Sequence, residues 1–145
     1  MRLYLDTSAL VKLYVDEEGS ALIREAVAQA ELISTSRVAY VEARAAFARR
    51  RHTRELEAQD YRRIVRDLDG DWDHYLRLDV TESLVRTAAH LAERHRLRAY
   101  DAIHLASAEE LKDRLTEQIV FGCWDVELEA AARRDGLELL GRRMA

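Results

Sequence analysis

The 145-residue sequence contains no proline and no asparagine, and its one cysteine is Cys123. A lone cysteine excludes an internal disulfide framework and the usual four-ligand cysteine zinc site, which leaves hard oxygen donors for any metal chemistry. There is no run of about 18 apolar residues, and no basic-then-apolar leader ends in small residues, so neither membrane insertion nor secretion is indicated and a cytoplasmic protein is expected. The missing proline removes a usual boundary marker, and no internal repeat, low-complexity segment or linker divides the chain. One domain over residues 1–145 is expected, because 48% hydrophobic content suffices for a core while 34% charged residues keep it soluble. The Gly-x-Gly-x-x-Gly pattern is also absent, which removes a dinucleotide-binding reading.

The formal net charge of −4 argues against a domain built for broad, non-specific grip on nucleic acid. The charge is unevenly placed. Between Arg44 and Arg66 eight arginines face only Glu55, Glu57 and Asp60, so that segment carries +5 and the rest of the chain −9. Of the 23 basic residues 21 are arginine, which with the absent asparagine matches the codon usage of a GC-rich genome. A solvated basic face therefore stands beside a nucleic-acid contact as the reading of this segment.

Periodicity orders the elements. Residues 2–5 read as a short buried strand, followed by an amphipathic helix through Leu10, Val11, Leu13 and Tyr14 that Thr7 and Ser8 are placed to cap. Gly19-Ser20 separates it from a helix over about 21–29, and 31–34 reads as a brief strand. Ser34, Thr35 or Ser36 then caps a helix over about 37–52, and Leu56, Ile64, Val65 and Leu68 mark another that ends near Gly70; together these two form a projecting helical arm at about 37–70. Strands are expected at 75–78, 117–121 and 137–140, with helices at 81–94, 100–111 and 126–134. The helix over 100–111 is apolar nearly all round and belongs in the interior. Strands alternating with helices give an α/β fold, a three-layer α/β/α sandwich with a mostly parallel central sheet.

Four acids in apolar contexts, Asp6, Glu42, Asp101 and Asp125, carry the functional signal. Asp6 closes the first strand, where open α/β sheets bind ligands, although Asp is also common as a cap or turn residue there. Glu42 has Val38, Ala39, Ala45 and Ala46 three and four residues away, so it lacks a local basic partner, and an arginine from elsewhere is the expected one. Asp101 opens the interior helix, where the dipole favours an acid and Arg98 is within reach. Asp125 precedes Val-Glu-Leu-Glu-Ala-Ala-Ala and reads equally as an N-cap. His104 shares a face with Asp101 but stays outside the primary group, as a hydrogen-bonded core histidine. Taken jointly, carboxylates about 4 Å apart repel by ~4 kcal/mol at an effective dielectric near 20, so a cluster of them needs protons or a cation. Carboxylates without cysteine or dense histidine select Mg²⁺ or Mn²⁺.

Leu5-Asp6-Thr7-Ser8-Ala9-Leu10, the early-helix Glu42, the segment Tyr100-Asp101-Ala102-Ile103-His104-Leu105-Ala106-Ser107-Ala108, and Asp125-Val126-Glu127-Leu128 before Gly136-Leu137 resemble, in order and spacing, the motifs of PIN-domain ribonucleases. More specifically, they resemble VapC-type toxins of toxin-antitoxin pairs. The resemblance spans essentially the whole chain. It implies a PIN-like sandwich whose catalytic and metal-binding residues are Asp6, Glu42, Asp101 and Asp125, with Ser8 as an accessory that orders Asp6 or a phosphate. It further implies Mg²⁺ or Mn²⁺ as cofactor, hydrolysis of RNA by a metal-activated water to leave a 5′-phosphate, a small VapB-like antitoxin that obstructs the acidic pocket, a homodimer, and no membrane partner. One departure stands out: Cys123 occupies the place, two residues before the last acid, where the family often has Thr or Ser. An inactive PIN-like scaffold that binds RNA or a partner, and a metal-dependent DNA nuclease, are the rival readings. A haloacid-dehalogenase phosphatase is excluded because Ser8 stands where its second Asp is needed.

Overall fold

A computed structural model describes residues 1–141. Five strands, β1 (Arg2–Leu5), β2 (Leu32–Ser36), β3 (Leu76–Leu78), β4 (Val120–Gly122) and β5 (Glu138–Leu139), form one sheet in the order β3-β2-β1-β4-β5. Every pairing is parallel. Parallel neighbours require crossovers, and these are supplied by α1 (Thr7–Tyr14), α2 (Ser20–Gln29), α3 (Val38–His52), α4 (Ala58–Trp72), α5 (Glu82–His95), α6 (Ala99–Leu115) and α7 (Val126–Arg134). No helix among the described residues is long and apolar enough to cross a membrane.

Alternation along the central strands divides the core in two. Tyr4 and Phe121 point to the face covered by α5, α6 and α7, where their rings stack with centroids 5.6 Å apart. Leu3, Leu5 and Val120 point to the opposite face, covered by α1, α2, α3 and α4. The result is the three-layer sandwich. On the second face Phe47 of α3 and Ile64 and Leu68 of α4 are buried in the same cluster as Leu10 and Val11 of α1, so the inner side of the helical arm packs on the body.

Four strands differ from expectation at their ends: β3 starts one residue later than 75, β5 keeps only two of the four residues 137–140, and β2 and β4 shift in position. The second strand continues to Ser36, and the fourth begins at Val120 where 117–121 had been expected. The polar run Ser34-Thr35-Ser36 conceals the strand: all three are buried, and the Ser34 and Thr35 hydroxyls donate to the Leu3 and Leu5 carbonyls of β1 at 2.9 and 2.7 Å. None of the three caps α3 as expected: the N-cap is Arg37, without a side-chain cap, and Ser36 Oγ only accepts from the Val38 N–H at 3.3 Å from one position earlier, because the strand runs on to Ser36.

Gly19 starts α2 with φ +93°, and a Cβ there would stand 2.6 Å from the Trp124 indole. Gly70 lies within α4, and a Cβ added there would meet nothing within 4 Å. Chemical denaturation should therefore show Gly19→Ala losing about 2 kcal/mol through left-handed strain and displaced indole. Gly70→Ala should gain about 0.5–1 kcal/mol through helix propensity; equal effects would refute the strained turn.

Candidate active site

The chain runs from β1 outward to β2 and β3 on one side and then crosses back to β4 on the other side of β1, so the carboxyl ends of β1 and β4 border a topological switch point. Asp6 stands there, its N–H donating to the Gly122 carbonyl of β4 at 3.1 Å. It also caps α1: Oδ1 accepts from the Ala9 N–H at 2.9 Å and from the Ser8 hydroxyl at 2.7 Å. Both bonds fall on one oxygen, leaving Oδ2 with no protein donor among the described residues. The side chain is nonetheless enclosed, with Asp6 only 3% exposed. Burial raises its pKa to about 6 against the opposing pull of His104, the two hydrogen bonds that favour the anion, and a further push upward from Asp101.

Asp101, in the first turn of α6, is half-buried; burial first and Asp125 second raise its pKa, while Arg98 and His104 oppose. Asp125 caps α7, with Oδ1 accepting from the Leu128 N–H at 2.8 Å. The exposed Arg98 guanidinium spans the gap, donating to Asp101 at 3.3 Å and to Asp125 at 3.4 Å. Asp6, Asp101 and Asp125 are thus brought together as a chain of mutually repelling carboxylates, with one exposed cation at its edge.

Glu42 reaches the site from α3 and is held differently. Its Oε1 accepts from the Thr7 hydroxyl at 2.6 Å and from His104 Nε2 at 3.0 Å. Burial would push this carboxyl up, but the hydrogen bonds from His104 and Thr7, with the histidine's charge, outweigh it and hold Glu42 below the ordinary value. The expected arginine partner is therefore replaced by His104 and Thr7. His104 is itself buried, and its Nδ1 lies 2.8 Å from the Tyr4 hydroxyl. A tautomer with the proton on Nε2 satisfies both neighbours: Tyr4 donates to Nδ1 and Nε2–H donates to Glu42. Thr7 and Tyr4 are the site residues that sequence reasoning missed; His104, expected as a hydrogen-bonded core histidine outside the primary group, is buried and hydrogen-bonded and is in addition the partner of Glu42. The available signal was that the apolar α6 face carries a buried imidazole needing partners on both nitrogens.

The Cys123 thiol, buried in the core, donates weakly to the Asp125 carbonyl at 3.8 Å, and burial pushes its pKa well up, so it supplies no thiolate here. Among the described residues no three His, Cys, Asp or Glu side chains converge as a ready-made metal cage. The donor set fits instead a small hard cation held by one or two carboxylates and otherwise by water, the usual coordination of Mg²⁺. Asp6 would offer such a cation an uncommitted oxygen on a carboxylate that burial destabilises.

A family model described as PIN domain matches residues 3–116, and the chain belongs to the PIN-domain family. Among individual proteins it is similar to Ribonuclease VapC45 of Mycobacterium tuberculosis (strain CDC 1551 / Oshkosh), with 35% identity over 133 residues that cover 92% of this chain and 90% of the relative. Its fold matches FitAB bound to the IR36 DNA fragment, with a TM-score of 0.70 at 13% identity over 94% of this chain and 92% of the other. It also matches VapBC-1 from nontypeable Haemophilus influenzae, with a TM-score of 0.64 at 16% identity over 96% of each chain.

The raised Asp6 pKa fixes the sign of a pH effect. Between the ordinary value of 3.8 and about 6 the folded protein holds a proton that the unfolded chain has released, so stability falls as pH rises through that window and the loss is complete above it. In metal-free buffer Asp6→Asn should be more stable than wild type at pH 7.5 by roughly 2–3 kcal/mol. The gap should close by about pH 4, measured as paired urea melts. A gap independent of pH would show that burial of Asp6 is not what sets its ionisation.

Proposed function

We propose that this protein is a metal-dependent endoribonuclease, the toxin of a toxin-antitoxin pair, acting in the cytoplasm. The observation that carries the reading is the enclosed, electrostatically strained Asp6 at the sheet switch point beside Asp101 and Asp125, in a PIN-family chain with a ribonuclease relative across nine-tenths of its length. Asp6 and Asp101 hold Mg²⁺ or Mn²⁺, with Asp125 completing the negative field. A divalent ion at such a site polarises a phosphoryl oxygen and acidifies water.

The chain's own groups supply the orientation. Ser8 and the Ala9 N–H fix one Asp6 oxygen, so the other has a defined direction. Thr7 and His104 keep Glu42 ionised and aimed, which lets it accept a hydrogen bond from water and fix its line of approach. Water adds to phosphorus, the P–O3′ bond breaks, the 3′-oxygen takes up a proton and the downstream fragment leaves with a 5′-phosphate. No side chain becomes covalently attached. A small VapB-like antitoxin that covers the acidic pocket belongs to the same reading, supported by the likeness of the fold to VapBC-1, and so does a homodimer, which rests on the family resemblance alone.

The test is purified, antitoxin-free protein on labelled structured RNAs with Mg²⁺, Mn²⁺ or EDTA. Cleavage should require the metal and fall by about 100-fold or more in Asp6→Asn and Asp101→Asn, although Asp6→Asn is the more stable protein. Thr7→Val, which removes one support of Glu42, should lower kcat about tenfold with the fold intact. Cleavage that survives EDTA, or that persists undiminished in Asp6→Asn, would overturn the reading.

A further inference from the structure

A cavity of about 380 Å³ runs from the acidic site between α1 and α3. One end is walled by Thr7 and Glu42, and the floor is made by Ala45 and Ala46. The other end is lined by Lys12, Arg49 and Arg50. Those three cations differ in what they do. Lys12 donates to Glu17 at 3.1 Å and lies over the Trp124 ring, 4.9 Å from its centroid. Arg50 donates to the second oxygen of Glu17 at 2.8 Å and stands 3.8 Å from Glu55. Two cations are therefore balanced by two carboxylates inside the protein. Arg49 is exposed, and its side chain makes no ion pair or hydrogen bond among the described residues, so its charge is uncompensated.

Arg49 also sits at the right place. Glu42, Ala46 and Arg49 follow one another on successive turns of one helix face. The seven-residue step from Glu42 is about 10 Å along the axis. A long helical side chain leans toward the N-terminus, which here is toward Glu42 and the metal-binding acids. The alanines between them keep the path open.

We infer that this cavity is a subsite for a backbone phosphate of the substrate next to the one being cleaved, and that Arg49 is the residue that binds it and so positions the strand across the acids. The inference rests on the nuclease reading above. It also divides the basic segment: Arg50 braces α3 against the Glu17 turn, and Arg49 faces the ligand. The planar guanidinium suits a phosphate in two-point contact.

The test compares Arg49→Gln, Arg49→Lys, Ala45→Leu and, as a control on the same exposed helix outside the cavity, Arg51→Gln. With the RNA that wild type cuts, Arg49→Gln and Ala45→Leu should raise KM about tenfold at nearly constant kcat, Arg49→Lys should recover part of the loss, and Arg51→Gln should match wild type. Replacing single phosphates flanking the cleaved bond by neutral methylphosphonate should identify one position that costs wild type affinity and costs Arg49→Gln nothing further. Binding of the same RNA in an Asp101→Asn background should lose about 0.7 from the slope of log K against log salt when Arg49 is also changed to Gln, as expected for one single-strand phosphate contact. If Arg49→Gln and Arg51→Gln are indistinguishable in KM and in salt slope, the subsite is refuted while the nuclease stands. If wild type cuts no RNA, the nuclease reading falls, and the salt slope on RNA binding still decides whether Arg49 meets a phosphate.

Discussion

The structure turns on an unfavourable fact: the Asp6 carboxylate has been taken out of water. A carboxylate so enclosed is costly unless neutralised or hydrogen-bonded, and here the protein gives it only half of what it needs. The Ala9 N–H and the Ser8 hydroxyl satisfy one oxygen, and the start of α1 to which they belong is capped by it in return. The other oxygen is left for something outside the protein. Because the same residue caps α1 and directly follows β1, the energetics of the fold and, under the proposed function, the affinity for a cation would be set by one side chain. Asp101 and Asp125 add to the repulsion, and Arg98, too exposed to hold a fixed geometry, relieves it only weakly.

Glu42 shows the opposite arrangement. Three elements converge on it: β1 through Tyr4, α1 through Thr7 and α6 through His104. Each partner donates toward the carboxylate directly or through the imidazole, which holds Glu42 ionised against the cost of its burial. The site thus holds one acid that burial disfavours as an anion and one that a hydrogen-bond relay favours. Under the proposed function, that divergence would separate a metal anchor from a group that orients water. Because Tyr4 stacks on Phe121 in the core under α6, the relay is stiffened by core packing.

The basic segment is resolved by the same kind of accounting of partners. In the sequence it is an undivided block of arginines. In the fold, Arg50 is consumed by Glu17 and Glu55, while the Arg49 side chain borders the cavity with no partner among the described residues. Net charge alone, at −4, pointed away from nucleic acid; the local placement of one uncompensated guanidinium beside a cluster of acids points back toward it.

Much was legible in the chain alone. Alternation of apolar strands and amphipathic helices determined the layered, parallel architecture, because each element must bury one face and parallel strands need crossovers. The four acids were visible because carboxylates interrupt apolar runs, and their motifs carried the family. The extent of β2 was not legible, since Ser34, Thr35 and Ser36 are polar and become strand residues only by donating to neighbouring carbonyls. Nor were the partners of Glu42. Thr7 and His104 lie 35 and 62 residues away from it, and only the stacking of β1, α1, α3 and α6 brings them within hydrogen-bond reach. The sequence by itself determined which groups are charged and which segments must be buried, because both follow from local chemistry. Which charges meet, which are cancelled and which are left for a ligand was decided by the tertiary structure, because electrostatic energy depends on distance through space and not on separation along the chain.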